Sequence, residues 1–232
     1  MTTAVTFDFW NTLMAEPPGL LKRLRREAVV AAAAELGGGI SEAAIDRELA
    51  AAGAAHDRAW STARPFDPAA EAARFGAALS HRDGASLAAA FLGSSAGARL
   101  TLAEGIAPVL RALRDRGVAL AIVCDVGLTP STLLRDALAR EGLLELFGGW
   151  AFSDEVGCFK PAAAIFQHAL DALGVGAAEA VHVGDLRRTD VAGARALGMA
   201  TVRYRGVADD TSAAADADHV IDRHAQLIPL LG

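Results

Sequence analysis

The sequence predicts an α/β fold with a parallel sheet core, helices on both faces of the sheet, and an inserted all-helical cap. Two observations predict this class. After Gly97, short apolar segments alternate with helical ones, as in a parallel sheet that is covered on both sides. Before Gly97 lies a long Ala-rich stretch with no convincing strand. Because it is too long for one crossover between parallel strands, we interpret it as an insertion.

The predicted strands are short and rich in β-branched and aromatic residues. The first covers residues 4–9, and the others follow the Ala-rich stretch. Their nearly unbroken apolar sequences suit strands that are buried on both faces. These later strands are predicted at residues 118–123, 150–152, 180–183, 201–204 and 220–221. Helices are predicted at residues 106–116, 131–141, 161–173 and 190–197, the third opened by Pro161.

The Ala-rich stretch predicts about four helices, divided at residues 37–39, 64–65 and 83–84. Ser41 and Asp67 suit the N-cap position, because their side-chain oxygens can accept hydrogen bonds from free N–H groups. The basic segment at residues 22–26 looks like a solvated helix face. We assign residues 16–97 to the cap and residues 1–15 and 98–232 to the core.

Composition restricts the class of partner and the compartment. Apolar residues make up 53% of the 232 residues, so a sizeable core can be buried, and the net charge is −6. An acidic protein is not expected to have nucleic acid or an anionic membrane as its main partner. Two cysteines are too few for a disulfide framework, and no basic segment leads into an apolar run at the N-terminus. We expect a cytoplasmic protein, monomeric or homodimeric.

Reactive side chains follow the predicted strands. Ligands of open parallel sheets bind at the carboxyl ends of the strands, so these positions are functional candidates. The candidates are Asp8, Cys124, Asp125, Lys160, Asp185 and Asp190. Each also has a simpler structural interpretation. An aspartate after a strand is often a turn former, a lysine before proline is usually solvated, and cysteine is often a small buried residue.

Taken together, the candidates indicate a catalytic site rather than separate structural residues. Carboxylates that meet in a cleft repel one another unless a cation or a proton joins them. A small number of oxygen ligands that leaves room for water and substrate suits Mg²⁺. Lys160 can hold an anionic substrate group and balance charge. It is one of only two lysines in the chain, the other being Lys22.

At these residues the chain resembles the haloacid-dehalogenase-like hydrolase superfamily, over essentially its whole length. Four short motifs stand in the family order, around an insertion after the first strand. The resemblance implies a Rossmann-like core with a helical cap of the C1 type. It also implies that Asp8 is a nucleophile that forms an aspartyl-enzyme intermediate, and that Lys160 orients it. Cys124 would take the place of the serine or threonine that donates a hydrogen bond to the transferred group.

The resemblance further implies a Mg²⁺ site, formed by Asp8, the backbone carbonyl of Trp10, Asp185 and Asp190. Three departures from the family pattern matter. Phosphatases of the family have an aspartate two residues after the nucleophile that protonates the leaving group, whereas this chain has Trp10, which has no acidic proton. Cys124 is a weaker donor than a hydroxyl, and Asp125 replaces a common asparagine. We expect Trp10 and Asp125 to contact the substrate.

These features predict a Mg²⁺-dependent phosphatase that acts on a small anionic metabolite with a good leaving group. A missing general acid lowers the rate about 10² to 10⁴-fold, which good leaving groups tolerate. Two alternatives stay open. A 2-haloacid dehalogenase-like hydrolase would explain the aromatic residue at position 10, although such enzymes usually have asparagine where this chain has Asp185. A catalytically impaired binding or regulatory protein would also explain the absent acid.

Overall fold

The computed structural model describes residues 2–37 and 39–231. Its centre is a six-stranded sheet in the order β5-β4-β1-β6-β7-β8, in which every pair of neighbours is parallel. A separate antiparallel pair joins β2 to β3. The strands are β1 (Ala4–Phe7), β2 (Met14–Ala15), β3 (Thr101–Leu102), β4 (Ala119–Cys124), β5 (Gly149–Phe152), β6 (Ala180–Gly184), β7 (Ala200–Tyr204) and β8 (His219–Ile221).

Helices fall into two groups. The first group follows β2 and is here called the cap helices: α1 (Leu20–Glu35), α2 (Glu42–Ser61), α3 (Pro68–Leu79) and α4 (Gly84–Gly93). The second group lies between the strands of the large sheet or, for α10, after the last strand: α5 (Ile106–Asp115), α6 (Ser131–Arg140), α7 (Ser153–Val156), α8 (Ala163–Leu173), α9 (Ala192–Ala196) and α10 (Leu227–Leu230). The predicted α/β class is therefore confirmed.

The sheet is buried on both faces, as its apolar strands predict. Side chains alternate across a strand, so the even-numbered residues of β4 enter one apolar core and the odd-numbered residues enter the other. Helices α5 and α6 cover the first core, and α8 and α9 cover the second. Burial on both faces explains why β4 has no polar residue within its span.

The cap helices have a core of their own, in which the rings of Phe75 and Phe91 lie 4.9 Å apart. Ser41 accepts a hydrogen bond from the backbone N–H of Ala44, and Asp67 accepts one from that of Ala69, so both predicted N-caps are confirmed. Strands β2 and β3 pair where the chain leaves the sheet and where it returns. The division at residues 16–97 stays a prediction.

Three predicted boundaries were wrong. The first strand ends at Phe7 rather than residue 9, because the carbonyl of Phe9 accepts hydrogen bonds from Leu13 and Met14 and closes a tight loop. Pro161 does not open a helix, since α8 begins at Ala163.

The helix predicted at 190–197 is a wide π turn over Arg187–Val191, followed by the short α9. No helix among residues 2–37 and 39–231 is both long and apolar enough to cross a membrane. Location and oligomeric state stay predictions.

Candidate active site

Three charged side chains are in direct contact at the carboxyl ends of β1 and β6. The Nζ atom of Lys160 donates hydrogen bonds to Asp8 Oδ1 at 2.5 Å and to Asp190 Oδ1 at 2.7 Å. All three side chains are buried. Asp8 directly follows β1, Lys160 lies between α7 and α8, and Asp190 lies in the π turn after β6. The structure thus brings together residues that are far apart in the sequence.

Asp185 completes an acidic cluster. One carboxylate oxygen from each of Asp8, Asp185 and Asp190 lies within 4.8 Å of the others. Asn11 donates a hydrogen bond to Asp185 Oδ2 at 3.2 Å. Three carboxylates against the single ammonium of Lys160 leave an excess of buried negative charge. A hard divalent cation with oxygen ligands would neutralise this excess, so the donor set fits such an ion.

Burial and the close approach of the charged groups shift the pKa values of the three aspartates. Burial raises the pKa of Asp8 well above its ordinary value against the opposing charge of Lys160, and Asp190 and Asp185 raise it further. Burial and the charge of Asp190 raise the pKa of Asp185 to about 7. Burial alone would raise the pKa of Asp190, but the contacts with Lys160 and His182 hold it below its usual range. Asp190 is therefore the carboxylate that stays ionised beside the lysine.

Local sequence explains how Asp190 comes so close to the strand end. The π turn folds the chain back, and Asp190 Oδ2 accepts a hydrogen bond from the backbone N–H of Leu186 at 2.9 Å. A Cβ atom on Gly184 would lie 2.3 Å from Asp190 Cγ. Glycine before Asp185 is thus required, because a side chain there would displace Asp190.

His182 is a residue whose contact with the cluster the sequence analysis missed. It lies on β6 and is fully buried, with Nδ1 2.8 Å from Thr6 Oγ1 and Nε2 3.2 Å from Asp190 Oδ1. Burial lowers the pKa of His182, which favours the neutral ring. Because an ionised carboxylate only accepts hydrogen bonds, Nε2 carries the proton and Nδ1 accepts from Thr6. A histidine within an otherwise apolar strand was the available signal.

Asp125 connects the sheet to the cap helices. Its Oδ1 accepts a hydrogen bond from the backbone N–H of Lys160 at 3.0 Å, and its Oδ2 accepts one from Trp60 Nε1 at 3.1 Å. Burial raises the pKa of Asp125. Cys124 is fully buried in the apolar core and is not part of the cavity wall, and burial raises the pKa of its thiol. Their roles toward a substrate stay predictions.

A cavity of about 460 Å³ opens above the cluster, between the sheet edge and the cap helices. The core contributes Asp8, Trp10, Asn11, Asp125, Lys160, Asp185 and Asp190 to its wall, and the cap helices contribute Leu21, Lys22, Arg25, His56 and Trp60. Trp10 meets Phe9 edge to face, with ring centroids 5.0 Å apart. Metal binding by the backbone carbonyl of Trp10 stays a prediction.

The interpretation of residues 22–26 as a solvated helix face was wrong for one residue. Arg25 is buried, because it belongs to the inward stripe of α1 together with Leu21, Val29 and Ala33. That stripe repeats every four residues, which is the spacing of one helix face. An arginine in an apolar stripe was therefore a signal in the sequence.

A parallel α/β core with an acidic cluster at its strand ends and a helical insertion defines a class of hydrolases. A family model described as haloacid dehalogenase-like hydrolase matches residues 2–198, and the chain belongs to this family. The predicted resemblance is confirmed.

Relatives extend this result. The chain is 29% identical over 250 residues to a ribulose-1,5-bisphosphate 5-phosphatase of Halopiger xanaduensis, covering 100% of both chains. It is similar to the crystal structure of an HAD phosphatase from Thermococcus onnurineus, with a TM-score of 0.69, 27% identity, and coverage of 100% and 98%. It is also similar to that of a 2-haloacid dehalogenase from Pseudomonas syringae pv. Tomato, with a TM-score of 0.73, 25% identity, and the same coverage. The family and its phosphatase relatives support an enzyme of the phosphatase type.

Proposed function

We propose that the protein is a Mg²⁺-dependent phosphatase that uses Asp8 as a covalent nucleophile. The substrate is a small phosphorylated metabolite with a good leaving group. One observation carries the proposal: Lys160 contacts both Asp8 and Asp190, with Asp185 in the same cluster. The aspartates would hold the cation, which when bound supplies positive charge to the phosphoryl oxygens.

Asp8 is arranged for attack. Its Oδ1 is held by Lys160, while no hydrogen bond among residues 2–37 and 39–231 involves its Oδ2. Oδ2 attacks phosphorus, the bond from phosphorus to the leaving oxygen breaks, and the leaving group departs with the electron pair. Water then attacks the phosphorus of the aspartyl phosphate, the bond from phosphorus to Asp8 Oδ2 breaks, and the released phosphate keeps the protons of the water, which restores the Asp8 carboxylate. Lys160 balances the charge that gathers on the transferred group.

The leaving group has no proton donor at the usual position. Trp10 lines the cavity where an acid would be needed, and its ring can pack against an apolar part of the substrate. General acid catalysis is worth about 10² to 10⁴ in rate, so alkyl phosphates suffer most from its absence. Aryl and acyl phosphates tolerate its absence, because their leaving groups, a phenolate or a carboxylate, are stable anions.

A hydrolysis screen tests the proposal. Phosphate release from aryl, acyl and alkyl phosphates would be measured with Mg²⁺ and with a chelator. We expect Mg²⁺-dependent turnover that is fastest on acyl and aryl phosphates. Asp8→Asn should reduce it by about 10⁴-fold or more, because the nucleophile is lost. Asp115→Asn, an exposed aspartate at the end of α5, should leave the rate unchanged.

A dehalogenase-like reaction is the second candidate. The aromatic side chain of Trp10 and the similarity to a solved 2-haloacid dehalogenase favour it. Halide release from a 2-haloacid without added metal would support this candidate and contradict the first. Mg²⁺ binding without turnover of either substrate class would instead support a binding protein.

A further inference from the structure

Arg25 is a buried cation on the cap side of the cavity. The residue is 7% exposed, and it lines the same cavity as Asp8. Its guanidinium carbon lies 5.0 Å from the centre of the Phe91 ring. Its Nη2 atom donates a hydrogen bond to the backbone carbonyl of Leu128 at 3.2 Å.

The guanidinium of Arg25 is incompletely paired. Its Nε atom is buried and has no hydrogen-bond partner within the described part of the chain. No carboxylate of residues 2–37 or 39–231 lies within 4.0 Å of it. Glu16, which also lines the cavity, interacts with Arg25 only at longer range. A buried guanidinium N–H without an acceptor is unfavourable, and an anionic acceptor relieves this penalty most effectively.

A second cation lies on the same helix face. Lys22 is one helical turn from Arg25 and also lines the cavity, but its side chain is exposed. The cavity wall therefore has cationic side chains in two places, Lys160 within the acidic cluster and Arg25 with Lys22 in a separate region on α1. A substrate with a single phosphate at Asp8 would leave the region on α1 without an anionic ligand.

We propose that Arg25 binds a second oxyanion of the substrate, a carboxylate or a phosphate, while the phosphate to be cleaved lies at Asp8. The substrate class is thus a phosphomonoester with a second anionic group. A planar guanidinium suits both oxyanions because its N–H groups match paired oxygens. This inference rests on the proposed phosphatase activity and names its substrate class.

Three matched substrates test the inference. They are phenyl phosphates with a carboxylate, a second phosphate or a neutral carboxamide on the ring. The carboxamide has nearly the shape of the carboxylate but no charge. We expect kcat/KM to be higher for both anionic substrates than for the carboxamide. The order of the two anionic substrates identifies which oxyanion Arg25 prefers.

Arg25→Gln should abolish the preference for the anionic substrates. We expect kcat/KM for these two substrates to fall about 10 to 100-fold, mainly through a higher KM, because a charge-assisted hydrogen bond is lost. Arg23→Gln is the matched control, since Arg23 is an exposed residue of the same helix. A purely structural arginine would slow all three substrates in parallel and leave their ratio unchanged. That result would overturn the inference, as would equal rates on all three substrates with the unmodified protein.

Binding separates this inference from the proposed function. If no phosphate is released from any substrate, the proposed phosphatase activity fails. Calorimetric affinities of the same three compounds for Asp8→Asn, with and without Arg25→Gln, still measure the charge preference. Tighter binding of the anionic compounds, lost with Arg25→Gln, supports Arg25 as the oxyanion contact. Equal affinities contradict it.

Discussion

The two walls of the cavity differ in how their charged groups are paired. On the sheet side, Lys160 contacts two carboxylates, and His182 links Asp190 to Thr6. On the cap side, Arg25 makes one hydrogen bond to a carbonyl and has a free Nε atom. The comparison teaches that the cation of the sheet side is paired within the protein, in a cluster whose excess of negative charge suits a metal ion. The cap side has a donor to which a substrate can bind.

Lys160→Met should have the largest effect on stability. It leaves the ionised carboxylate of Asp190 buried without its cation, which typically costs about 3 to 5 kcal/mol in the free energy of unfolding. Urea unfolding in the presence of a chelator measures this cost. Arg205→Gln is the control, because the pair of Arg205 with Asp222 is exposed and should contribute about 1 kcal/mol or less. A similar loss in both variants would contradict the expectation that the buried pairing of Lys160 contributes more than an exposed ion pair.

Trp10→Asp should add to the sheet side of the cavity the proton donor that it lacks. We expect the rate on an alkyl phosphate to rise about 10²-fold or more, since general acid catalysis is restored. The rate on an aryl phosphate should change much less, because that leaving group needs no proton. Trp10→Asn has nearly the same shape without the acid and serves as the control. Equal gains in both variants would show that space, rather than the acid, limits the reaction.

Mg²⁺ should stabilise the fold more at pH 8 than at pH 5. The pKa of Asp185 is raised to about 7 in the folded state from an ordinary 3.8. Folding therefore takes up a proton between these values, and its contribution to stability is lost as the pH rises through 7. A bound cation replaces that proton, and at about 100 times its Kd adds roughly 2.7 kcal/mol. Thermal melts at both pH values measure this, and Asp185→Asn should remove most of the difference.

Trp60→Phe should have the smallest effect. It removes the hydrogen bond from Nε1 to Asp125 but keeps an aromatic ring under Arg188, whose guanidinium lies 4.1 Å from the ring centre. We expect a loss of about 1 kcal/mol in urea unfolding. Trp60→Ala should cost more, because the ring contact is lost as well. If both variants lose the same free energy of unfolding, the ring contact makes no contribution beyond that of the hydrogen bond.

Most of the charged residues on the sheet side could be predicted, because they follow the carboxyl ends of strands. Asp8, Asp185 and Asp190 follow buried strands, and parallel strands bring their carboxyl ends to one edge. His182 was missed because its contact requires the register of β1 against β6, which pairs it with Thr6. Register and rotamers are set by tertiary packing, which a single sequence does not specify.

Arg25 was missed for another reason. Three nearby residues, Lys22, Arg23 and Arg26, are also basic, and only the four-residue stripe distinguishes Arg25 from them. The hydrogen bond that its Nη2 atom donates is to Leu128, which comes from a distant part of the chain.

The pairing of β2 with β3 has an evolutionary consequence. The chain leaves the sheet and returns to it through two adjacent, hydrogen-bonded segments, Met14–Ala15 and Thr101–Leu102. Everything between them can be lengthened, shortened or exchanged while the loop from Asp8 to Leu13 keeps its course. Selection can therefore change which molecules are admitted without rebuilding the reactive centre.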